Sequence, residues 1–356
     1  MKLIELHLLQ SFPFTCLNRD DVGAPKSAYF GGVQRARVSS QSWKRAIRER
    51  AFEIAPEYFA GKRGRYHSEA LQNKLIELGV EESKAQSWAV EALEGIGKKG
   101  KNDGQTAVAL YLTPLEIETI AKELVESAAN SKKGEIDKKV VAKAIKSAGR
   151  RDFADVSIFG RMVADDPSLM LEGAGMFAHA LSTHAAMNEI DFFSAVDDTK
   201  TIDDAGAGHI GVLEANSACY YRYIGLNVDL LFNDERLGKV SVADRKAVLA
   251  VFFRAALEAI PKARKNSMFG YSLPAYALGV VRRGQPLSLV NAFETPVVAG
   301  KDGGYLENSV AKLEEHRAKL DSIYNLDKQL ICGVKLSEDK PLDAWIDEMV
   351  AAALGE

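Results

Sequence analysis

The chain has 356 residues, 47% hydrophobic and 27% charged, the range of a soluble globular protein that buries one large core or two smaller ones. It holds no run of about 18 apolar residues, which excludes a membrane span, and its three scattered cysteines, Cys16, Cys219 and Cys332, fit neither a disulfide framework nor a zinc knuckle. The formal charge is −3, yet Lys26 to Arg65 carries ten Lys or Arg against three Glu, a local +7 that leaves −10 for the remainder; such asymmetry points to a polyanion on one face, nucleic acid first.

The opening MKLIELHLLQSF has a short apolar run and no small-residue cleavage site, so it is read as a strand and not as a signal peptide. Free thiols and no leader together imply the reduced cytoplasm. Over Lys2 to Gln10 the alternation places Ile4, Leu6 and Leu8 on one face. Val33 to Val38 alternates as well, with Arg35 and Arg37 sharing a face. Ser39 and Ser40 then cap a helix running to about Ile54. Trp43, Ala46, Ile47 and Ala51 form its apolar stripe, and Lys44, Arg45 and Arg48 gather opposite. Arg50 falls on the apolar side and snorkels past the core.

Residues from about 60 to 150 change character. Amphipathic helices are expected near 69–94, 114–130 and 135–148, separated by GIGKKGKNDG (95–104) and NSKKGE (130–135). Strand patterns return at Phe153–Phe159, Met176–Thr183, Tyr220–Leu230 and Ala275–Val281, with a helix from Val242 to Ile260 between the last two. Without the helical insertion the order is strand, helix, strand, strand, helix, strand. That predicts an α+β fold with an antiparallel sheet backed by helices, of the ferredoxin-like or RNA-recognition-motif (RRM-like) type. Asp191 to Ser217 is too glycine-rich and irregular for core and is read as a projecting hairpin or lobe.

The basic run has a bland reading, a solvated helix face. Phosphate binding is favoured because its cations come from three successive elements: Arg19 and Lys26 in a loop, Arg35 and Arg37 on a strand, Lys44, Arg45 and Arg48 on a helix. Ser39, Ser40 and Gln41 add donors at the helix N-terminus, where an anion is favoured. The G-x-G-x-x-G at Gly206, Gly208 and Gly211 is rejected as a dinucleotide fingerprint, because it follows aspartates and leads into an extended segment. His179 and His184 are five residues apart, wrong for a metal pair, and are read as structural. Asp20 and Asp21 are adjacent and point apart, so loop hydrogen bonding is their default. Ser39 and Ser40 lack a nearby His and are caps, not nucleophiles.

Eight blocks in the chain resemble one family. They are CLNRDD (16–21), AYFGG (28–32), R-x-R-V-S-S-Q-S-x-K-R-A-x-R (35–48), FGRM (159–162), FAHALSTH (177–184), DFFSAVDD (191–198), YYRY (220–223) and LSLVNAFE (287–294). Their order and kind resemble CasC, the backbone subunit of the type I-E CRISPR-associated Cascade complex. The resemblance implies a hand-like protein with an RRM-like palm (1–58, 150–190 and 218–300), a helical fingers insertion (59–149), a thumb (191–217) and a C-terminal helical segment (301–356). It implies a non-catalytic role in antiviral defence: copies of the chain oligomerise along a CRISPR guide RNA and hold it for pairing with target DNA, beside other Cascade subunits, with no cofactor, no metal and no membrane. Carried over by motif position, the guide contacts fall on Arg19, Lys26, Arg35, Arg37, Ser39, Gln41, Lys44, Arg45, Arg48 and Met162. The thumb tip, with Ile202, His209 and Ile210, supplies wedge residues. The alternative is an RNA-cleaving backbone subunit that uses a loop aspartate, Asp20 or Asp21, as type III relatives do.

Overall fold

A computed structural model describes residues 1–163, 166–195 and 209–355. In chain order the elements are β1 (Lys2–Thr15), β2 (Ser27–Phe30), β3 (Val33–Val38), α1 (Ser40–Ile54), β4 (Lys62–Gly64), α2 (Ser68–Glu77), α3 (Glu82–Gly97), β5 (Leu110–Leu112), α4 (Pro114–Asn130), α5 (Val140–Ser147) and α6 (Ala154–Phe159). There follow β6 (Gly175–Phe177), β7 (Ala180–Ser182), β8 (Glu189–Ala195), β9 (His209–Asn227), α7 (Val228–Leu231), α8 (Val242–Glu258), β10 (Tyr276–Arg283), α9 (Leu306–Tyr324), β11 (Leu330–Lys335) and α10 (Leu342–Leu354). The protein is α+β, and it divides into two compact units: Met1–Arg50 with Phe177–Gly225 and Phe252–Glu356, and Ala51–Met176 with Leu226–Val251.

The first unit is built on a sheet in the order β11-β10-β1-β9-β7-β3-β2. β1 pairs antiparallel with β10 from Lys2↔Arg283 to Leu9↔Tyr276, and β7 pairs with β9 at Leu181↔Tyr221. Along the chain β1, β7, β9 and β10 are interleaved with α1 and α8 in the predicted strand and helix order. Tyr220 and Tyr221, consecutive on β9, enter different clusters, one with Phe12, Val38 and Trp43, the other with Leu9, Leu289 and Phe293. The sheet is therefore covered on both faces, because neighbouring strand residues point to opposite sides. This explains why β1 is buried on both faces although its sequence alternates. The Glu5 carboxylate accepts from the Tyr223 hydroxyl and the Leu287 N–H, and His7 Nδ1 meets the Tyr221 hydroxyl at 2.9 Å, so these polar residues are satisfied inside.

β2 and β3 form a hairpin closed by Gly31 and Gly32, with φ of +60° and +78°. Two successive positive-φ positions are what a two-residue hairpin turn matching the strand twist requires. A Cβ on Gly31 would lie 1.7 Å from the Glu294 carbonyl oxygen, so the turn sits directly on the segment around residue 294. β8 pairs with the first part of β9 from Glu189↔Ala215 to Ala195↔His209, a hairpin within the span read as a lobe. Gly211 lies opposite Phe193, whose ring fills the space of a Cβ. Gly211 is thus in a strand, as the rejection of the dinucleotide reading requires; Gly206, Gly208 and Ile202 lie outside the described residues. The segment 301–356 contributes, besides α9 and α10, the strand β11 beyond β10.

The second unit holds the predicted helices as α2 to α5. Their apolar faces meet in one cluster with Leu71, Leu75, Leu93, Ile120, Leu124 and Ile145. α4 begins with a capping box, in which Thr113 and Glu116 satisfy each other's backbone N–H, and Pro114 follows the cap. Glu116 is buried and is held by Arg161 Nη1 at 2.7 Å and by Arg150 at 3.4 Å. The short strands β4 and β5 pair within this mostly helical region. The strand expected at Phe153–Phe159 is instead the helix α6. Apolar residues at 153, 156 and 159 fit the helical repeat as well as alternation does, and seven residues cannot separate the two.

Candidate nucleic-acid interface

The basic run folds within the first unit as a loop, the β2–β3 hairpin and α1. The helix start is fixed from three sides. Ser39 Oγ accepts from the Ser42 N–H at 3.4 Å, Asn18 Oδ1 accepts from the Ser39 N–H at 2.9 Å, and His179 Nδ1 accepts from the Ser40 N–H at 3.1 Å. Those bonds satisfy donors that a helix N-terminus leaves open. Trp43, Ala46 and Ile47 are buried, as the stripe requires. The buried Arg222 of the YYRY block stacks its guanidinium 3.7 Å over the Trp43 ring and donates to Gln10 Oε1 and the Ala256 carbonyl. Burial pushes its pKa down to about 9. Arg222 therefore fixes the inner face of α1, leaving the outer face to the cations.

Arg19, Gln41 and Arg45 are exposed on that surface, and Lys26, Arg37, Lys44 and Arg48 are half-buried. Arg37 donates Nε–H to the Ser27 carbonyl at 3.1 Å, and its backbone N–H bonds the Lys26 carbonyl, which ties strand to loop. The Lys44 ammonium lies 5.2 Å from the centre of the Phe177 ring, and burial lowers its pKa. Arg45 pairs with Glu49 at 2.7 Å. Burial, then the charges of Arg37 and Lys26, hold the His179 imidazole below its usual range. A neutral ring with Nδ1 as acceptor is also what the cap demands, so cap and electrostatics agree. His179 is exposed and belongs to this cluster and not to the core, a placement for which its sequence surroundings gave no periodic signal.

Arg35 is the correction. Its side chain is fully buried and donates to four carbonyls: Phe30 at 3.2 Å, Ser182 at 3.0 Å, Phe293 at 2.8 Å and Glu294 at 3.2 Å. With its donors spent on its own backbone it presents no charge to an outside phosphate; it locks the β2–β3 hairpin against residues 293–294. Arg50 pairs with Glu258 at 2.7 Å in place of snorkelling unpaired. Asp20 Oδ1 accepts from the Val22 and Ala24 N–H groups at 3.0 and 2.9 Å, the loop role expected of it. His184 is structural: Nδ1 bonds the Ala185 carbonyl, Nε2 accepts from the Cys219 N–H, and the ring stacks on Tyr305 at 3.7 Å. Met162 lies in the second unit and is 73% exposed. Among the described residues no group of His, Cys, Asp or Glu is arranged to hold a metal ion, and no helix is long and apolar enough to cross a membrane. All three cysteines are free.

An antiparallel sheet carrying a cation-lined helix start defines an α+β protein with a surface suited to a phosphate backbone. The chain belongs to the family described as CT1975-like protein, which it matches over residues 4–352. It is similar to a chain of a solved "CRISPR RNA-guided surveillance complex, pre-nicking", with 31% identity, a TM-score of 0.81, and 99% of this chain and 100% of that one covered. It is also similar to a chain of a "CRISPR RNA-guided surveillance complex", with 25% identity, a TM-score of 0.61, and 99% of each chain covered. None of the curated proteins compared with it matches.

Proposed function

We propose that this chain is a non-catalytic, guide-RNA-binding backbone subunit of a type I-E Cascade surveillance complex. Copies line up along the guide and present its bases to target DNA. The observation that carries the reading is that backbone hydrogen bonds tie the Lys26 loop and Arg37 to the Asn18 and Ser39 cap of α1, while Lys44, Arg45 and Arg48 lie along the helix that this cap begins. The whole-length likeness to chains of RNA-guided surveillance complexes supports guide RNA as that polyanion. Sequence recognition in such assemblies is delegated to base pairing, so the protein needs a grip on backbone and shape, without base readout. Repetition of that grip along one RNA turns weak contacts into tight assembly. In this reading the first unit's sheet belongs to an RRM-like palm, helices α2 to α5 are the fingers (59–149), Met162 of the palm span lies against guide bases, and residues 191–217 are the thumb. Asp20's engagement with its own loop supports a scaffold over a nuclease.

The test is charge reversal of Lys44, Arg45 and Arg48 to Glu together. Guide RNA should no longer co-purify, while the purified protein still unfolds cooperatively, losing on the order of 1–2 kcal/mol with the Arg45–Glu49 pair and the Lys44–Phe177 contact. With about six backbone contacts on a single strand, log affinity should fall with log salt at a slope near −4. Undiminished guide co-purification would refute the assignment. Metal-dependent cleavage of bound RNA that disappears in Asp20→Ala or Asp21→Ala would replace it with the nuclease reading.

A further inference from the structure

One exposed segment of the first unit is absent from the grip described so far. Residues 262–273, KARKNSMFGYSL, leave α8 and return to β10; they hold three cations and no acid. Phe269 and Tyr271 are 69% and 52% exposed, and their rings lie near-parallel, 18° apart in plane with centroids at 6.3 Å. Large apolar rings in contact with solvent are an unusual expense for a monomer and mark a contact surface. The segment is not a loose tail. Thr15 Oγ1 donates to the Met268 carbonyl at 3.0 Å, Gln10 Nε2 and Ser272 Oγ each bond across to the Ser272 carbonyl and the Ser11 carbonyl at 2.7 Å, and Gly270 lets the backbone approach Thr15 as closely as 3.0 Å for a virtual Cβ. Arg264 sits at φ +53°, a left-handed position that is costly for a non-glycine residue.

Two links make this segment continuous with the grip. Lys262 Nζ reaches Glu49 Oε2 at 3.1 Å, and the other oxygen of Glu49 holds Arg45 of α1. Burial opposes ionisation of Glu49, yet Arg45 and Lys262 together keep its pKa below the usual range. At the loop end, Thr15 Oγ1 holds the Met268 carbonyl, and burial raises the neighbouring Cys16 thiol while the charges of Arg19 and Arg264 pull it down. The cationic surface therefore runs from α1 and the loop at Arg19 onto the segment that carries the two rings.

We infer that Phe269 and Tyr271 form a stacking platform for unpaired bases of single-stranded RNA, with Arg264 and Lys265 on the adjoining phosphates. Charge complementarity and continuity with the cation-lined helix start favour RNA over a protein occupant. An aromatic platform beside cations is sequence-tolerant, because every base offers a π-face, and so it suits a strand of any sequence. This subsite rests on the RNA-binding reading above but adds contact to bases where the grip touches only backbone.

The experiment measures binding of a mixed-sequence single-stranded oligoribonucleotide and of the same backbone carrying abasic riboses. Phe269→Leu with Tyr271→Leu should weaken binding of the intact strand on the order of tenfold per ring, and leave the abasic strand unchanged. Lys44→Glu should weaken both strands alike, since it removes backbone attraction. Loss in Lys44→Glu without any change in the ring variant overturns the platform and leaves the grip standing. A ring variant that binds both strands normally but no longer self-associates assigns the rings to a protein partner and also overturns it. If wild type binds neither strand, the grip fails and the platform falls with it. Both rings are exposed, so the Leu variants should retain the wild-type unfolding midpoint; Lys265→Ala, which lowers the salt slope by about one if it meets a phosphate, supplies an independent reading.

Discussion

Replacing Arg35 by methionine separates a structural cation from a binding one. The side chain is fully buried and donates to four carbonyl oxygens, the shortest bonds being 2.8 Å to Phe293 and 3.0 Å to Ser182. Methionine keeps much of the volume and removes every donor, which strands acceptors in the interior. A hydrogen bond from a charged donor contributes about 1.5–3 kcal/mol, so counting only the two shortest gives a loss of at least about 3 kcal/mol. For a unit of this size that is a fall in Tm of roughly 6–12 °C. Urea unfolding followed by tryptophan fluorescence reads it directly, because Trp43 is buried against the same sheet. Under native conditions the surviving folded protein should still bind RNA with near-wild-type affinity. An Arg35→Met protein with an unchanged midpoint and lost RNA binding would show that Arg35 serves the ligand and that the burial argument is mistaken.

Two further outcomes follow from buried groups. Gly31→Ala should cost at least about 2 kcal/mol, since alanine resists positive φ and its Cβ would meet the Glu294 carbonyl. Combined with Arg35→Met it should cost less than the sum, because both act on the same contact, and full additivity in a double-mutant cycle would argue against the shared clamp. Burial lowers the His7 pKa from 6.5 to about 4. The unfolded chain then binds the extra proton first as pH falls, so this group's contribution is whole above about pH 6.5 and declines by about 3 kcal/mol on the way to pH 4. His7→Gln should flatten that part of the stability profile, and identical slopes for the two proteins would sink the assignment.

The elements legible in the sequence were those set by local rules. α1 starts where Ser39 and Ser40 allow a cap and buries the stripe that its 3.6-residue period describes. The helices of the second unit follow the amphipathic pattern between Gly and Lys breaks. What failed, failed through distance. Alternation correctly puts Arg35 and Arg37 on one side of β3, but which of them meets solvent is decided by residues 293–294, some 258 positions away. β1 alternates, yet both of its faces are covered by elements that its own fourteen residues cannot announce. Met176–Thr183 reads as one strand and is two, β6 and β7, and Tyr220–Leu230 begins eleven residues early and ends in α7. The site was visible as a charge run; its caps, Asn18 and His179, and its paired members, Arg45 and Arg50, were not, because partners are set by packing.

The clamp on the β2–β3 hairpin also has a bearing on biosynthesis. Arg35 is translated early, but its acceptors at Phe293 and Glu294 emerge from the ribosome only near the end, and β1 must likewise wait for its partners at Tyr276 to Arg283. At a synthesis rate of about 5–20 residues per second, the N-terminal hairpin spends on the order of ten seconds or more with an unanswered guanidinium. The cationic face therefore matures late, after almost the whole chain is made. A truncated product ending before residue 293 would carry the full basic run yet lack the lock that shapes it.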